Sequence, residues 1–569
     1  SIVQRTPTLG LIAAAVVSVA IVGGLAIMAT RDREQSPARV SQASASKSVV
    51  VLPFRDLTGT AEGQIYSDGL AEMISSRLLQ ASGLRVIPRL NESSRSADPV
   101  AVARQLGAGF ALRGAVQRRG PDVNVNYALL KADTGEQVAG ETIAAAAGDI
   151  FTLLDRLSTS ILTAFDAQAP GKRSALAGEL SRSEDREAYV QALGLLQRSA
   201  DERSVDKAVD TLERLLLNAR DSAMINVQLA RALIYKSQLG RRPALLEQAS
   251  VYAERARDLD EAVPEVHVRL GHIRFLSGKH EEAVREYQRA LELRPDDPVA
   301  LLGIAEVNEA MGRSADAEEL YRKVIKARPE HADSYNRFGL YLLSRGRFDE
   351  AEKSLERFTQ LAPDTARAFL NVGAAYQAQG RYEDARKAYE RSVRLNASGA
   401  ALSNLATLEF FLGRYERAAE GFEKAARLSP TNHIIWINLG DAYRWAPGAR
   451  DKSIGAFEKA IALAGEALAV NPRDAMTRAR VAAALAKSGN LAEASVMMDA
   501  ALKLDPTNPM VLYSAALVAQ LRGTPATAVT WLERAARAGY PVDYLQSDPE
   551  FASVRSDPAF PRSTAPGRG

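Results

Sequence analysis

Three asparagines, Asn371, Asn404 and Asn438, recur 33 and then 34 residues apart, at one position of a repeating pattern. A carboxamide offers donors and an acceptor together, so a row of them can pair with the backbone of an extended peptide without reading its side chains. Arg337 and Arg480 hold the same position on either side of the row and favour an acidic partner. Phe410, Phe411 and Trp445 follow six or seven positions after an asparagine, where they can line apolar pockets. A bland use of these residues stays open. An asparagine here also bonds within its own helix pair, and Phe410 also suits a core.

Other chemistry is poorly supplied. His267 and His272 are five apart, not the four that would align two metal ligands on one helix face, and His280, His331 and His433 form no HExxH. The absence of cysteine excludes disulfides, thiolate metal sites and a cysteine nucleophile. Glu281-Glu282, Glu318-Glu319 and Asp349-Glu350 open helices, where carboxylates meet the helix dipole favourably. Thr58-Gly59-Thr60 and Gly63 form a small-residue loop of the kind that can hold phosphate in α/β folds, flanked by Asp56 and Asp68. With no GxxxxGK[ST] or GxGxxG, it reads as a turn whose carboxylates cap backbone amides. There is no GxSxG, HRD or DFG, so no enzyme, metal or cofactor is expected. A net charge of +3 over 569 residues gives no reason to expect a nucleic-acid partner.

What would place the asparagines on one surface is a 34-residue period. Gly271, Ala305, Gly339 and Gly373 form one register, Ala283, Ala317, Ala351 and Ala385 a second, and Tyr287, Tyr321, Leu355 and Tyr389 a third. Pro295, Pro329 and Pro363 close successive units, and each unit breaks into amphipathic halves near Gly278, Gly312, Gly346 or Gly380. Small residues let two helices approach, the bulky register fills the space beyond, and proline stops the second helix. This pattern resembles the tetratricopeptide repeat family. The resemblance implies a mostly α chain with about ten units over 184–541, stacked as a right-handed α-solenoid. Its concave groove, lined by the first helix of each unit, would take a protein or peptide. The asparagine row is similar to the ladder in the repeat region of O-GlcNAc transferases. Two units depart from regularity: QLGRRPALLE is inserted in the one over 223–263, and RWAPGARDK stretches the one beginning at His433. Residues 542–569 read as a short cap over the last apolar face and a tail.

Ahead of the repeats, residues 47–166 alternate short apolar runs with helical periodicity in the order β-α-β-α-β-β-β-α, an α/β domain with a mixed sheet. The first strand is expected over 48–54 and the first helix over 66–81. VVVLPFRDLTG, YSDGLAEMISSRL, GLRVIPR and ARQLGAGFALRGAVQRRG resemble the TolB amino-terminal and FlgO-like domain. In that family the domain often follows a membrane span and a cytoplasmic Ser/Thr kinase, adenylate cyclase or winged-helix domain, and precedes tetratricopeptide repeats. The resemblance implies a sensory or interaction module outside the cytoplasm and names no small-molecule ligand.

Residues 9–29 carry no charge and would span about 30 Å as a helix, the thickness of a bilayer's hydrocarbon core. Residues 1–8 are a stub, 30–46 a tether and 167–183 a linker. Arg31, Arg33, Arg39 and Lys47 follow the span against Arg5 before it, a count that by itself keeps the bulk of the chain in the cytoplasm. A preceding domain voids that count, and Ser1 in place of methionine suggests a processed or partial product. The expectation is a single-pass protein of a bacterial inner membrane, with the repeats in the periplasm binding a protein or peptide. The alternative is the regulatory region of a longer kinase or adenylate cyclase whose catalytic domain precedes Ser1.

Overall fold

The computed structural model describes residues 47–81, 83–88, 97–120, 122–146, 149–167, 179–199, 201–240, 244–470 and 474–562. The expected span over 9–29, its tether, most of the 167–183 linker and the end of the tail lie outside these residues. No described helix is long and apolar enough to cross a membrane. The described chain is mostly helical and forms two compact units, the first ending at Ser334 and the second starting at Tyr335.

The first unit opens with a mixed sheet of β1 (Ser48–Val51), β2 (Arg55–Asp56), β3 (Arg85–Pro88), β4 (Phe110–Arg119), β5 (Asp122–Lys131) and β6 (Gln137–Ala146). The order is β3-β1-β4-β5-β6, with β2 also paired to β4. β1 runs parallel to both β3 and β4, and β4, β5 and β6 form an antiparallel meander. A strand flanked on both edges and covered on both faces reads as an unbroken apolar run, which is what Val49-Val50-Val51 is. The expected strand over 48–54 is split, because Pro53 has no N–H to give the ladder. Phe54 then turns inward under Gly114, where a Cβ would stand 2.6 Å from its ring. Helices α1 (Ala61–Leu79), α2 (Pro99–Gln105) and α3 (Ile150–Thr163) accompany the sheet. α1 begins five residues before the expected Tyr66, since Thr60 caps it by accepting from the Gly63 N–H.

Helix pairs follow in the same unit: α4 (Ser183–Leu196) with α5 (Glu202–Asn218), α6 (Ala223–Gly240) with α7 (Ala244–Leu259), α8 (Pro264–Leu276) with α9 (His280–Leu293), and α10 (Pro298–Ala310) with α11 (Ser314–Ala327). The start of the QLGRRPALLE insertion is absorbed by lengthening α6. α1 and α4 cross at Gly69 and Gly194, where a Cβ on either would stand 1.9 Å from a carbonyl oxygen of the other helix. Only two glycines permit that approach. Glu72 of α1 accepts from Gln197 and pairs with Arg231 at 2.6 Å, and Arg118 pairs with Glu187 at 2.5 Å. The sheet and the first repeats therefore share one apolar core, which runs from Val49 through Leu180 to Ile273. Leu180, read as linker, is 1% exposed within it.

α12 (Ala332–Ser344) leads into the second unit. There it is followed by α13 (Phe348–Leu361), then the pairs α14 (Ala366–Ala378) and α15 (Tyr382–Leu395), and α16 (Gly399–Phe411) and α17 (Tyr415–Leu428). Next come α18 (His433–Trp445) and α19 (Asp451–Val470), α20 (Ala475–Lys487) and α21 (Leu491–Leu504), and α22 (Pro509–Leu521) and α23 (Pro525–Arg537). α24 (Val542–Ser547) and a 3-10 turn (Pro549–Val554) close the chain. The registers do what their sizes allow. A Cβ on Gly373 would meet the Tyr389 ring at 2.6 Å, and one on Gly339 would meet Leu355 at 2.6 Å. Helix pairs turn at glycines such as Gly312, whose φ of +76° is left-handed.

Candidate functional site

The first helices of the second unit's pairs, α14, α16, α18, α20 and α22, carry or face most of the candidate residues. Asn371 on α14 donates through Nδ2 to Oδ1 of Asn336 on α12 at 2.6 Å. It is thus engaged between neighbouring repeats rather than within its own helix pair, and Asn336 is a partner that the periodicity did not single out. Asn404 on α16 and Asn438 on α18 are half-buried and make no side-chain hydrogen bond among the described residues. A half-buried carboxamide without a partner carries unspent hydrogen-bonding capacity at one face. Arg337 and Arg480 are half-buried on α12 and α20.

The aromatic candidates separate. Phe410 packs against a core that includes Ala406, Ala418 and Phe422, with its ring 5.2 Å from that of Tyr415. This is the core role left open above. Trp445 lies 6.3 Å from the Tyr415 ring. Phe411 meets the Phe410 ring edge-on at 6.0 Å and stacks on Tyr544, with centroids 4.3 Å apart and planes within 7°.

Tyr544 belongs to α24, in the segment read as a cap. The segment does cap: Leu545, Phe551, Val554 and Phe560 join Ala516, Leu517, Val529 and Leu532 in an apolar cluster. It also reaches across the repeats. The Tyr544 hydroxyl accepts from Gln377 Nε2 of α14 at 2.8 Å, and Gln377 Oε1 accepts from the core hydroxyl of Tyr389 at 2.7 Å. Glu550 pairs with Arg444 Nε of α18 at 2.7 Å, and Asp548 accepts from Tyr513 of α22 at 2.5 Å. Residues 544–550 span at most about 20 Å even fully extended, yet they touch α14, α16, α18 and α22. The segment therefore lies along the face that these first helices share, a trough in a stacked array of helix pairs.

Charges of both signs lie near the carboxylates of Asp548 and Glu550. Lys487 Nζ of α20 lies 2.5 Å from Asp441 of α18, and the Arg444 guanidinium also reaches the Lys487 carbonyl at 3.5 Å. Burial pushes the carboxyls of Asp441 and Asp548 above the usual range, against the pull of Lys487 on both. Burial likewise lifts the Tyr513 hydroxyl well above its ordinary value, and the Asp548 charge adds to the effect. None of these contacts has a periodic signal. What the sequence did offer was Tyr544, Asp548 and Glu550 in a stretch with two Asp-Pro pairs outside the repeat.

In the first unit the Thr58-Gly59-Thr60 loop folds onto its own carboxylate. Asp56 Oδ2 accepts from the Thr58 hydroxyl at 2.7 Å and the Thr60 N–H at 3.1 Å. Burial raises the Asp56 carboxyl, but the hydrogen bonds from Thr58, Thr60 and Gly59 outweigh it and hold it below its ordinary range. A Cβ on Gly63 would stand 2.5 Å from Asp56 Oδ1, so the turn is closed on itself. His267 is equally spoken for: Nδ1 meets Glu286 at 2.8 Å and Nε2 meets the Glu261 carbonyl at 2.9 Å.

The sequence matches the model of a tetratricopeptide repeat over residues 509–534, the α22–α23 pair, and that of the cilia and flagella-associated protein 70 C-terminal domain over 207–443. A protein of Rhizobium meliloti (strain 1021), named as candidate adenylate cyclase 3, is 28% identical over 258 residues, which is 42% of this chain and 43% of the relative. The chain thus spans less than half the length of that curated relative. Among solved structures, a thermophilic tetratricopeptide-repeat protein of Thermus thermophilus is 22% identical with a TM-score of 0.29, covering 32% of this chain and 98% of that one. PilF of Pseudomonas aeruginosa is 25% identical with a TM-score of 0.31, covering 37% and 93%. With the helix-pair registers above, the matched repeat makes this a tetratricopeptide-repeat protein.

Proposed function

We propose that this chain is an interaction protein of a bacterial inner membrane, anchored through residues 9–29, that captures a protein or extended peptide on the first-helix face of its second unit. The observation that carries the reading is the trough itself. It seats an extra-repeat stretch of polypeptide through Gln377, Phe411 and Arg444, while Asn404 and Asn438, on the same helices as Phe411 and Arg444, keep unused carboxamides. A tetratricopeptide scaffold is suited to such binding because stacked pairs present a continuous surface larger than any one pair. The sheet domain serves as a sensory or interaction module, and its resemblance to domains found beyond membrane spans supports a periplasmic position. A carboxy-terminal alkaline phosphatase fusion, active only outside the cytoplasm, tests that side of the proposal.

The groove is tested by selecting peptides from a randomised display library against residues 47–562 and measuring the best by fluorescence anisotropy. Replacing Asn404 and Asn438 together by alanine is expected to weaken binding at least about tenfold, each lost peptide hydrogen bond being worth roughly 1 kcal/mol. Unchanged affinity in a variant of unchanged melting temperature would show that the peptide sits elsewhere.

A second reading is favoured by the Rhizobium relative: this chain is the regulatory region of a longer adenylate cyclase or Ser/Thr kinase. Reading the gene upstream of the Ser1 codon distinguishes the two, since a catalytic domain there makes peptide capture an input to an enzyme.

A further inference from the structure

The trough already holds a piece of this chain, and the chemistry of that piece describes what else would fit. Tyr544 stacks on Phe411 and bonds Gln377, Asp548 accepts from Tyr513, and Glu550 pairs with Arg444. The three side chains stand at i, i+4 and i+6 of one short stretch. None belongs to the apolar cap, which is built from Leu545, Phe551, Val554 and Phe560. Capping the last helix pair needs those four and gives no reason for Gln377, 167 residues away, to be reached. The segment meanwhile leaves Asn404 and Asn438 without hydrogen bonds among the described residues.

We infer that residues 544–550 are a tethered stand-in for the true partner, and that the partner is an acidic peptide that takes up the same helical turn at this site, with an aromatic residue followed by carboxylates four and six positions on. The inference deepens the peptide-capture reading and rests on it. A short tether holds the segment at millimolar effective concentration, so a micromolar partner making only the same contacts loses by about a thousandfold. The partner displaces the segment by adding what the segment lacks, backbone hydrogen bonds to the carboxamides of Asn404 and Asn438. The repeat face is therefore closed by default and opens only to ligands that use the asparagines as well as Phe411 and Arg444.

The test keeps the folded full chain and severs the tether. A protease site is inserted between Ala538 and Gly539, the folded protein is cut, and exchange of the released fragment against a labelled synthetic peptide of residues 541–562 is followed. The fragment is expected to stay bound with a measurable dissociation constant. Tyr544→Ala and Glu550→Arg should each weaken it at least tenfold, with Arg444→Glu restoring the Glu550→Arg fragment. A polyalanine peptide keeping only the tyrosine, aspartate and glutamate at this spacing should compete, and its scrambled version should not. Retention indifferent to Tyr544 and Glu550 would mean that the apolar cap alone holds the segment. That result overturns the inference and leaves peptide capture to its own asparagine test. A fragment that leaves at once, with no affinity even at about 100 μM, overturns both.

Discussion

His267 shows how a histidine with the chemistry of a metal ligand comes to do structural work. It is 4% exposed, with one ring nitrogen on the Glu286 carboxylate and the other on the Glu261 carbonyl. The Glu286 hydrogen bond raises its pKa, burial opposes that, the Glu261 carbonyl adds to it, and Arg289 nearby subtracts a little. A folded pKa above the unfolded one means that the folded state binds the proton more tightly. The added stability is complete below the ordinary imidazole value of about 6.5 and disappears as pH rises through the folded value. His267→Gln should therefore cost on the order of 1 kcal/mol more near pH 5.5 than near pH 8.5, read from denaturant melts. A penalty independent of pH would mean that the imidazole stays neutral throughout. At this scale the sequence was partly legible. The steric residues Gly373 and Tyr389 were readable because size alone fixes their contact. Asn371 was not, because a carboxamide serves a ligand or a neighbouring Asn336 equally well until the neighbour is placed.

Among the elements, the crossing of α1 and α4 is the tightest junction. Gly69 and Gly194 bring backbone to backbone, and relief of a 1.9 Å approach would require moving a helix rather than a side chain. Gly69→Ala or Gly194→Ala should cost about 3 kcal/mol or more and loosen the sheet domain from the first repeats. Gly455, on an exposed stretch of α19 with open space for 4 Å around the point a Cβ would occupy, supplies the opposite sign. Gly455→Ala should stabilise by about 1 kcal/mol through helix propensity alone. Thermal melts of the three variants check both directions, and a neutral Gly69→Ala would contradict the close crossing. The helices themselves were legible because the period encodes contacts between neighbours: Gly271 lies 16 residues before the Tyr287 it meets. The crossing joins positions 125 residues apart, and the seating of α24 joins positions 167 apart. Neither recurs, so no register could expose it.

For the molecule as a whole, the distribution of apolar contact decides what unfolds together. One cluster runs without interruption from Val49 in β1 to Ile273 in α8, so the sheet domain and the first repeats cannot lose their cores separately. A repeat array usually unfolds by neighbour-to-neighbour loss, with its weakest end first. Here the amino-terminal end is sealed by the sheet, and the carboxy-terminal end by Leu545, Phe551, Val554 and Phe560. The two seals belong to different compact units. Leu70→Ala in α1 and Leu229→Ala in α6 should therefore lower one and the same calorimetric transition, each by about 2–5 kcal/mol. Phe551→Ala, costing about 3–5 kcal/mol, should move a different transition and leave that one in place. Hydrogen exchange gives the same division residue by residue: the first two substitutions should speed exchange in β1 and α6 together, while Phe551→Ala should speed α22, α23 and α24. If Leu70→Ala melted the sheet and left α6 protected, the shared core would not be a cooperative unit. The sheet domain would then be a passenger on the array, folding independently of the repeats it is packed against.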